Sequence, residues 1–197
     1  EMAGRGVHAA TPDEDHVAYA IARASLALTQ SKPALAADML NITVPRASTP
    51  RLACALHARR TFLAVRQRRT SIARRCVDAL SAAAEGVPDL QAVAARWQAE
   101  VHLIESQPAA AREALEPWLD QFHSPSLDEG DAWFTWASIA RVEGNQVEAQ
   151  RGFEKALSVY EALGVATPKI AALGGLADTL RYQGRLDEAR EAAAAMV

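Results

Sequence analysis

Small and apolar residues between positions 131 and 157 recur at spacings of three and four, the period of a helix with one buried face. Two groups share this pattern, namely Trp133, Trp136, Ala137 and Ala140 in the first half and Ala149, Phe153 and Ala156 in the second. Gly144 and Asn145 lie between the groups, and both tolerate the left-handed backbone conformation that ends a helix. The window therefore predicts two helices joined by a tight turn.

The same two-helix pattern recurs along the rest of the chain. A second copy has its turn at Gly184, and its apolar positions are Leu173, Leu176, Ala177, Leu180, Ala189, Ala193 and Met196. Three weaker upstream copies have no glycine in the turn and carry Ser31-Lys32-Pro33, Arg68-Arg69-Thr70 and Ser106-Gln107-Pro108 there. The pairs Thr49-Pro50 and Thr167-Pro168 are typical of helix starts. We predict one domain over 1–197, with five hairpins at about 13–43, 49–85, 88–123, 127–163 and 167–197.

The window from Asp131 to Leu157 resembles a tetratricopeptide repeat (TPR). That family places a large apolar residue early in the first helix, a glycine at the turn, and an alanine, an aromatic residue and an alanine in the second helix. Trp133, Gly144, Ala149, Phe153 and Ala156 occupy those places, whereas Glu161 replaces the family's helix-ending proline. The interval from Gly144 to Gly184 exceeds the family's usual repeat length, which predicts a longer second helix. The resemblance implies an all-α, right-handed superhelical solenoid of about five hairpins and ten helices.

Composition agrees with a helical fold and narrows the range of partners. Alanine, the best helix former, occupies 44 of 197 positions, whereas aromatic residues make up 6%. This balance disfavours an all-β fold. The net charge is −3, so the chain lacks the positive excess of a nucleic-acid-binding domain, and we expect no direct nucleic acid binding.

The sequence also predicts where the protein resides. No apolar run approaches the roughly 18 residues of a membrane span, and the first residues lack the apolar core of a signal peptide. Cys54 and Cys76 have no CxxC spacing, which predicts buried, reduced thiols in a cytoplasmic protein. Residues 191–197 continue an apolar helical pattern, so we expect a longer parent protein or a homodimer contact through the terminal repeats.

The sequence contains no motif of a known catalytic or phosphate-binding site. The five histidines are dispersed, and His102 and Glu105 are neighbours on a helix rather than a metal site. We therefore predict a protein that is not an enzyme and that holds no metal or cofactor. Seven arginines between Arg59 and Arg75 leave two readings open, either a site for a phosphate, acidic peptide or nucleic acid, or solvated residues paired with acids of adjacent helices.

The TPR resemblance also implies a set of ligand-binding positions. In that family the first helices of the hairpins line a concave groove. Carried onto this chain, the groove positions are Phe62, Arg66, Arg96, Glu100, Phe134, Ser138, Asp178 and Arg181, with Ile21, Ser25 and Ala58 completing the first two hairpins. Aromatic, cationic and acidic residues in this mixture suit a peptide or a small polar ligand. The lysines and asparagines with which some members clamp a C-terminal carboxylate are missing.

Two functions fit these observations. The first is a non-enzymatic module that binds a protein or peptide in the groove. The second is the ligand- or peptide-sensing region of a larger bacterial transcriptional regulator, because long repeats rich in alanine, leucine and arginine resemble those of such regulators. The chain shows no DNA-reading motif, so the DNA-binding part of such a regulator would lie outside it.

Overall fold

Helices make up the regular structure of the part of the chain that the computed structural model describes, residues 12–30, 32–44, 47–122 and 125–196. Ten α-helices follow one another there, α1 (Pro12–Thr29), α2 (Pro33–Thr43), α3 (Pro50–Arg66), α4 (Thr70–Ala83), α5 (Pro88–Ile104), α6 (Pro108–Leu115), α7 (Leu127–Val142), α8 (Gln146–Leu163), α9 (Ala166–Tyr182) and α10 (Leu186–Ala194). A short 3-10 helix, Glu116–Gln121, extends α6. The described ranges hold no strand.

Consecutive helices pair into five hairpins, and each hairpin packs on the next. We call the first helix of each hairpin its A helix (α1, α3, α5, α7 and α9) and the second its B helix. The buried side chains form a series of clusters along this stack rather than one central core. The predicted all-α solenoid of five hairpins and ten helices is confirmed.

The turn inside four of the hairpins has the same backbone geometry. Arg68, Ser106, Gly144 and Gly184 all have a positive φ, and they recur at a nearly constant interval along the chain. The N–H of the residue after each donates to a carbonyl five positions earlier, as from Asn145 to Ala140 at 2.8 Å. This bond defines a Schellman turn, which satisfies a helix-end carbonyl. The upstream copies look weak in sequence because Arg68 and Ser106 adopt a conformation that glycine would adopt at lower cost.

Polar side chains and prolines fix where several helices begin. The Thr49 hydroxyl accepts a hydrogen bond from the Leu52 N–H at 3.3 Å, with Pro50 as the first helical residue, as predicted. The prediction that Thr167 starts α9 is wrong, since α9 begins at Ala166. Pro168 still lies in the first turn, where a helix needs no N–H donor.

Close contact between helices depends on glycine as well as alanine. Ala137 of α7 and Ala149 of α8, which the sequence pattern places on buried helix faces, are both fully buried. Gly152 of α8 lies directly against Ala137, since a Cβ on Gly152 would be 2.8 Å from the Ala137 Cβ. Gly175 approaches the Phe153 ring in the same way.

Ion pairs join neighbouring hairpins at the turn edge. Arg74 of α4 donates to Glu105 at the end of α5 at 2.6 Å. Arg112 of α6 makes the equivalent bonds to Glu143, and it also donates to Glu148 at 2.9 Å. Each arginine precedes its first partner by 31 residues, so the repeat itself sets the pairing. Arg74 therefore fits the reading in which the arginine cluster pairs with acids of adjacent helices.

Both cysteines lie inside the helix stack. Cys54 and Cys76 are buried free thiols, and burial raises the pKa of each. Within the described ranges, no cluster of histidine, cysteine, aspartate and glutamate could hold a metal ion. No described helix combines the length and the apolar character needed to cross a membrane.

We predict that Gly152→Ala lowers the free energy of unfolding by about 1–3 kcal/mol, because the added methyl would overlap Ala137. Gly174→Ala is the matched control. Its new Cβ would meet only the Met196 Sδ, at 3.8 Å. Because alanine has a better helix propensity than glycine, this variant should raise the free energy of unfolding by up to about 1 kcal/mol. Urea denaturation of both variants measures the difference. Equal stabilities would contradict the described contact between α7 and α8.

We predict that Arg112→Met lowers the free energy of unfolding by about 1–3 kcal/mol, because its ion pairs are less than one-third exposed. Hydrogen bonding to Arg112 lowers the pKa of Glu148 from its ordinary value of 4.5. The stabilisation is therefore present above that value and is lost as the pH falls through the lower, folded-state pKa. Thermal melts at pH 7 and at about pH 3 should show the gap between wild type and variant closing. Arg74→Met, at a more exposed arginine, should cost less.

Candidate binding cavity between the A helices

A cavity of about 370 Å³ opens between the A helices of the first three hairpins. It is lined by Ile21 of α1, by Arg51, Cys54, Ala55, Ala58, Arg59 and Phe62 of α3, by Leu90, Val93, Arg96 and Trp97 of α5, and by Asp128 at the start of α7. We call it the A-helix cavity. Its volume is that of a small-ligand site, so it can hold one or two side chains of a partner.

Two aromatic rings form the apolar part of the wall. Phe62 and Trp97 meet edge to face, with ring centroids 6.2 Å apart and planes at 77°. Trp97 is buried and Phe62 half-buried, so their rings hold the adjacent helices α3 and α5 together while still lining the cavity. Such a wall can bury an apolar surface of a partner without rearranging.

Arginines supply most of the polar part of the wall. Arg59 donates to the Ser25 hydroxyl at 2.8 Å, and its guanidinium lies 5.4 Å from the centre of the Phe62 ring. Burial lowers the pKa of Arg59, although a guanidinium stays cationic at neutral pH. Arg51 lies on α3 one helical turn before Ala55, and it is exposed.

Arg96 is the unusual member of the site. Its side chain is buried, with 6% of the residue exposed, and the guanidinium lies 4.0 Å from the centre of the Trp97 ring. Within the described residues, its nearest anionic group is Asp131, whose Oδ2 is 3.8 Å from Nη2, beyond hydrogen-bonding distance. The Nε of Arg96 and the indole Nε1 of Trp97 are buried without a hydrogen-bond partner there. Such unpaired buried donors are costly, and here both belong to side chains that line the cavity.

Two aspartates act on Arg96. Asp131 Oδ1 accepts a hydrogen bond from the Tyr160 hydroxyl at 2.8 Å, and desolvation together with this carboxylate raises the pKa of Tyr160. Asp128 stands at the cavity wall, where desolvation raises its pKa despite the opposing effect of Arg96. The cavity wall thus contains three arginines and the carboxyl group of Asp128, and the carboxylate of Asp131 lies beside Arg96.

Of the eight predicted groove residues, Phe62 and Arg96 line the A-helix cavity, as do the neighbouring positions Ile21 and Ala58. Arg66 is exposed at the last residue of α3, outside the cavity lining. Glu100 lies on α5 and accepts a hydrogen bond from the Thr135 hydroxyl at 2.8 Å.

The other predicted residues belong to hairpins four and five. Phe134 packs edge to face on Phe153, with ring centroids 5.5 Å apart, and the Ser138 hydroxyl donates to the Phe134 carbonyl at 2.9 Å. Asp178 and Arg181 line a second cavity of about 520 Å³ between α9 and α10, where their side chains pair at 3.6 Å. Phe62 and Arg96 therefore share one cavity, and Asp178 and Arg181 share another.

Arg51, Trp97 and Asp128 of the cavity were not predicted from the sequence, and Arg59 was predicted only as a member of the arginine-rich segment. Arg51 lies two helical turns before Ala58, so extending the Ala58–Phe62 stripe backward along α3 would have found it. Asp128 carries no such signal, because it reaches the cavity only through the way hairpin four packs on hairpin three.

Part of the arginine-rich segment lines a separate cavity. Arg60, Arg69 and Arg75 surround it together with Asp38, between α2, α3 and α4 on the B-helix side. Arg60 donates from Nε to Asn41 at 3.0 Å and so ties hairpin two to hairpin one. This cavity, also of about 370 Å³, is the alternative place at which an anionic partner could be recognised.

The fold is similar to that of two solved TPR-like proteins. One is the crystal structure of nearly identical TPR-like repeats assigned to a kinesin light chain of Podosopora anserina, with a TM-score of 0.65, 14% identity, and coverage of 96% of this chain and 95% of that one. The other is BtubC (BKLC) from P. vanneervenii, with a TM-score of 0.62, 18% identity, and coverage of 95% and 93%. No protein-family model and no curated protein sequence matches the chain. At these identities the likeness shows a TPR-like fold.

We predict that Arg96→Met changes the free energy of unfolding by less than about 1 kcal/mol. The variant loses the contact between the guanidinium and Trp97 and the weak ion pair with Asp131, but it also removes a buried cation whose Nε has no hydrogen bond, and these effects oppose each other. Chemical denaturation, run beside Arg112→Met, provides the comparison. A loss of about 3 kcal/mol or more would mean that Arg96 is a structural residue rather than part of a binding site.

Proposed function

We propose that the chain is a non-enzymatic interaction module that binds a segment of another protein, or a peptide, on the surface formed by its A helices. The A-helix cavity is the anchor point of this surface. The observation that carries the proposal is that Phe62, Trp97 and Arg96 converge there from two hairpins around an open volume, with donors left unpaired.

The chemistry of the cavity matches what a protein segment offers. A segment brings apolar side chains, which the Phe62–Trp97 wall can cover, and carbonyl or carboxylate oxygens, to which guanidiniums donate. Stacked hairpins present an extended binding surface, and TPR-like folds generally serve protein interaction. A segment anchored in the cavity could continue along the later A helices past Glu100, Ser138, Asp178 and Arg181.

The alternative function, a sensor region of a bacterial transcriptional regulator, stays a prediction from the sequence. It would use the same cavity but would require a DNA-binding part in the parent protein. A homodimer through the terminal repeats also stays a prediction. The exposed apolar side chains that could support it are Tyr19, Ile42, Tyr182 and Leu186 in the first and last hairpins.

The proposal is tested by selecting a phage-displayed random peptide library on the immobilised full chain and measuring the selected synthetic peptides by fluorescence anisotropy. Ala55→Trp places a large ring in the cavity from an exposed position of α3, and Phe62→Ala removes part of its wall. We expect each variant to weaken peptide binding about tenfold or more, as at a binding hot spot.

Two controls complete this experiment. Arg151→Ala, at an exposed position of the B helix α8, should leave the affinity unchanged. Arg75→Ala alters the arginine-lined cavity on the B-helix side. If Arg75→Ala abolishes binding while Ala55→Trp has no effect, recognition takes place on the B-helix side and the proposed site is wrong.

A further inference from the structure

Two arginines of this protein pack on the face of a tryptophan, and they differ in one respect. The Arg112 guanidinium lies 4.2 Å from the Trp136 ring centre and makes four hydrogen bonds to Glu143 and Glu148. The Arg96 guanidinium lies 4.0 Å from the Trp97 ring centre and makes none within the described residues. Arg112 thus shows which partner this arrangement accommodates, namely carboxylates that accept from the exposed edge of the guanidinium.

The nearby carboxylates leave Arg96 without such a partner. Asp131 stays 3.8 Å away and already accepts a hydrogen bond from Tyr160. Asp128 lines the cavity, and no hydrogen bond joins it to Arg96. With Arg51 and Arg59 on the same wall, the cavity keeps an excess of positive charge.

We infer that the A-helix cavity receives a single carboxylate group of its partner, with Arg96 as the hydrogen-bonding anchor and the Phe62–Trp97 wall covering the apolar atoms that carry it. This inference rests on the proposed function and specifies its ligand. A planar carboxylate with one negative charge matches the fork of a guanidinium. A doubly charged group would be repelled more strongly by Asp128 and Asp131. The carboxylate can belong to an acidic side chain or to a chain terminus.

Three capped amino acids distinguish these sources. Ac-Glu-NH2 has only a side-chain carboxylate, Ac-Gln-OH has only a terminal carboxylate, and Ac-Gln-NH2 has neither. Each is titrated into the ¹⁵N-labelled full chain at constant pH and ionic strength. The indole N–H signal of Trp97, identified among the four tryptophans with Trp97→Phe, reports binding. We expect at least one carboxylate probe to shift this signal and Ac-Gln-NH2 to leave it in place at the same concentration.

Charge variants with opposite effects make the experiment specific. Arg96→Gln should weaken the binding of the carboxylate probe about tenfold or more, because the anchoring donors are lost. Asp128→Asn should strengthen it about two- to fivefold, because a carboxylate that repels the probe becomes neutral. Arg151→Gln, far along the chain on a B helix, should change nothing.

The inference is overturned if Ac-Gln-NH2 shifts the Trp97 signal as strongly as the carboxylate probes, or if folded Arg96→Gln binds them as wild type does. Should Arg96→Gln fail to fold, Asp128→Asn and Ala55→Trp decide, and unchanged affinities in both reject the inference. If no probe binds while the phage-selected peptides still require Phe62, the proposed function stands and the carboxylate assignment is wrong. If those peptides do not require the cavity either, both fail.

Discussion

An isolated helix hairpin of this chain would leave one apolar face in water, and every other feature of the structure follows from covering that face with the next hairpin. The buried clusters accordingly join residues of successive hairpins, as where Leu176 of α9 packs against the cluster that contains Phe153 of α8. The free energy of unfolding is then close to a sum of two kinds of contribution, one from each hairpin and one from each interface between neighbouring hairpins. The repeat period determines the contacts at these interfaces, because the turns recur at a nearly constant interval. The Arg112–Glu143 pair therefore forms at one interface in the same way as the Arg74–Glu105 pair at another.

This architecture separates charges that hold the fold from charges that are free to bind. Arg112 lies where hairpins three and four meet, and its donors are occupied by glutamates of the adjacent hairpin. Arg96 occupies an A helix that faces an open volume, and the same type of side chain on the same type of ring has no hydrogen-bonded partner among the residues that the structure describes. Arg96 and Arg112 are the same residue type packed on the same type of ring, so the difference in their hydrogen bonding comes from their positions in the helix stack. Burial without a hydrogen-bonded partner therefore distinguishes Arg96 from Arg112.

Most of the fold can be predicted from the sequence because the features that define each hairpin depend on residues close together in the chain. Helix periodicity, the Gly144 and Gly184 turns and the Thr49-Pro50 start are all properties of a few adjacent residues, and they occur in the structure as expected. The cavity is less predictable, since its wall depends on how far one hairpin is rotated on the next. Phe62 and Arg96, which the TPR resemblance implies as groove positions of α3 and α5, both line the cavity. Phe134, on the equivalent stripe of α7, packs on Phe153 instead, because Gly175 admits that ring close to α9.

The A-helix cavity spans Ile21 of hairpin one, α3 of hairpin two, α5 of hairpin three and Asp128 of hairpin four. In a linear stack each repeat feels only its immediate neighbours, so opening at one end travels inward one repeat at a time. A ligand that contacts several repeats at once would couple repeats that are not in direct contact within the stack. It would make the N-terminal half of the molecule open and close as one cooperative unit, so that occupancy of the cavity changes local fluctuations across four repeats without any change of fold.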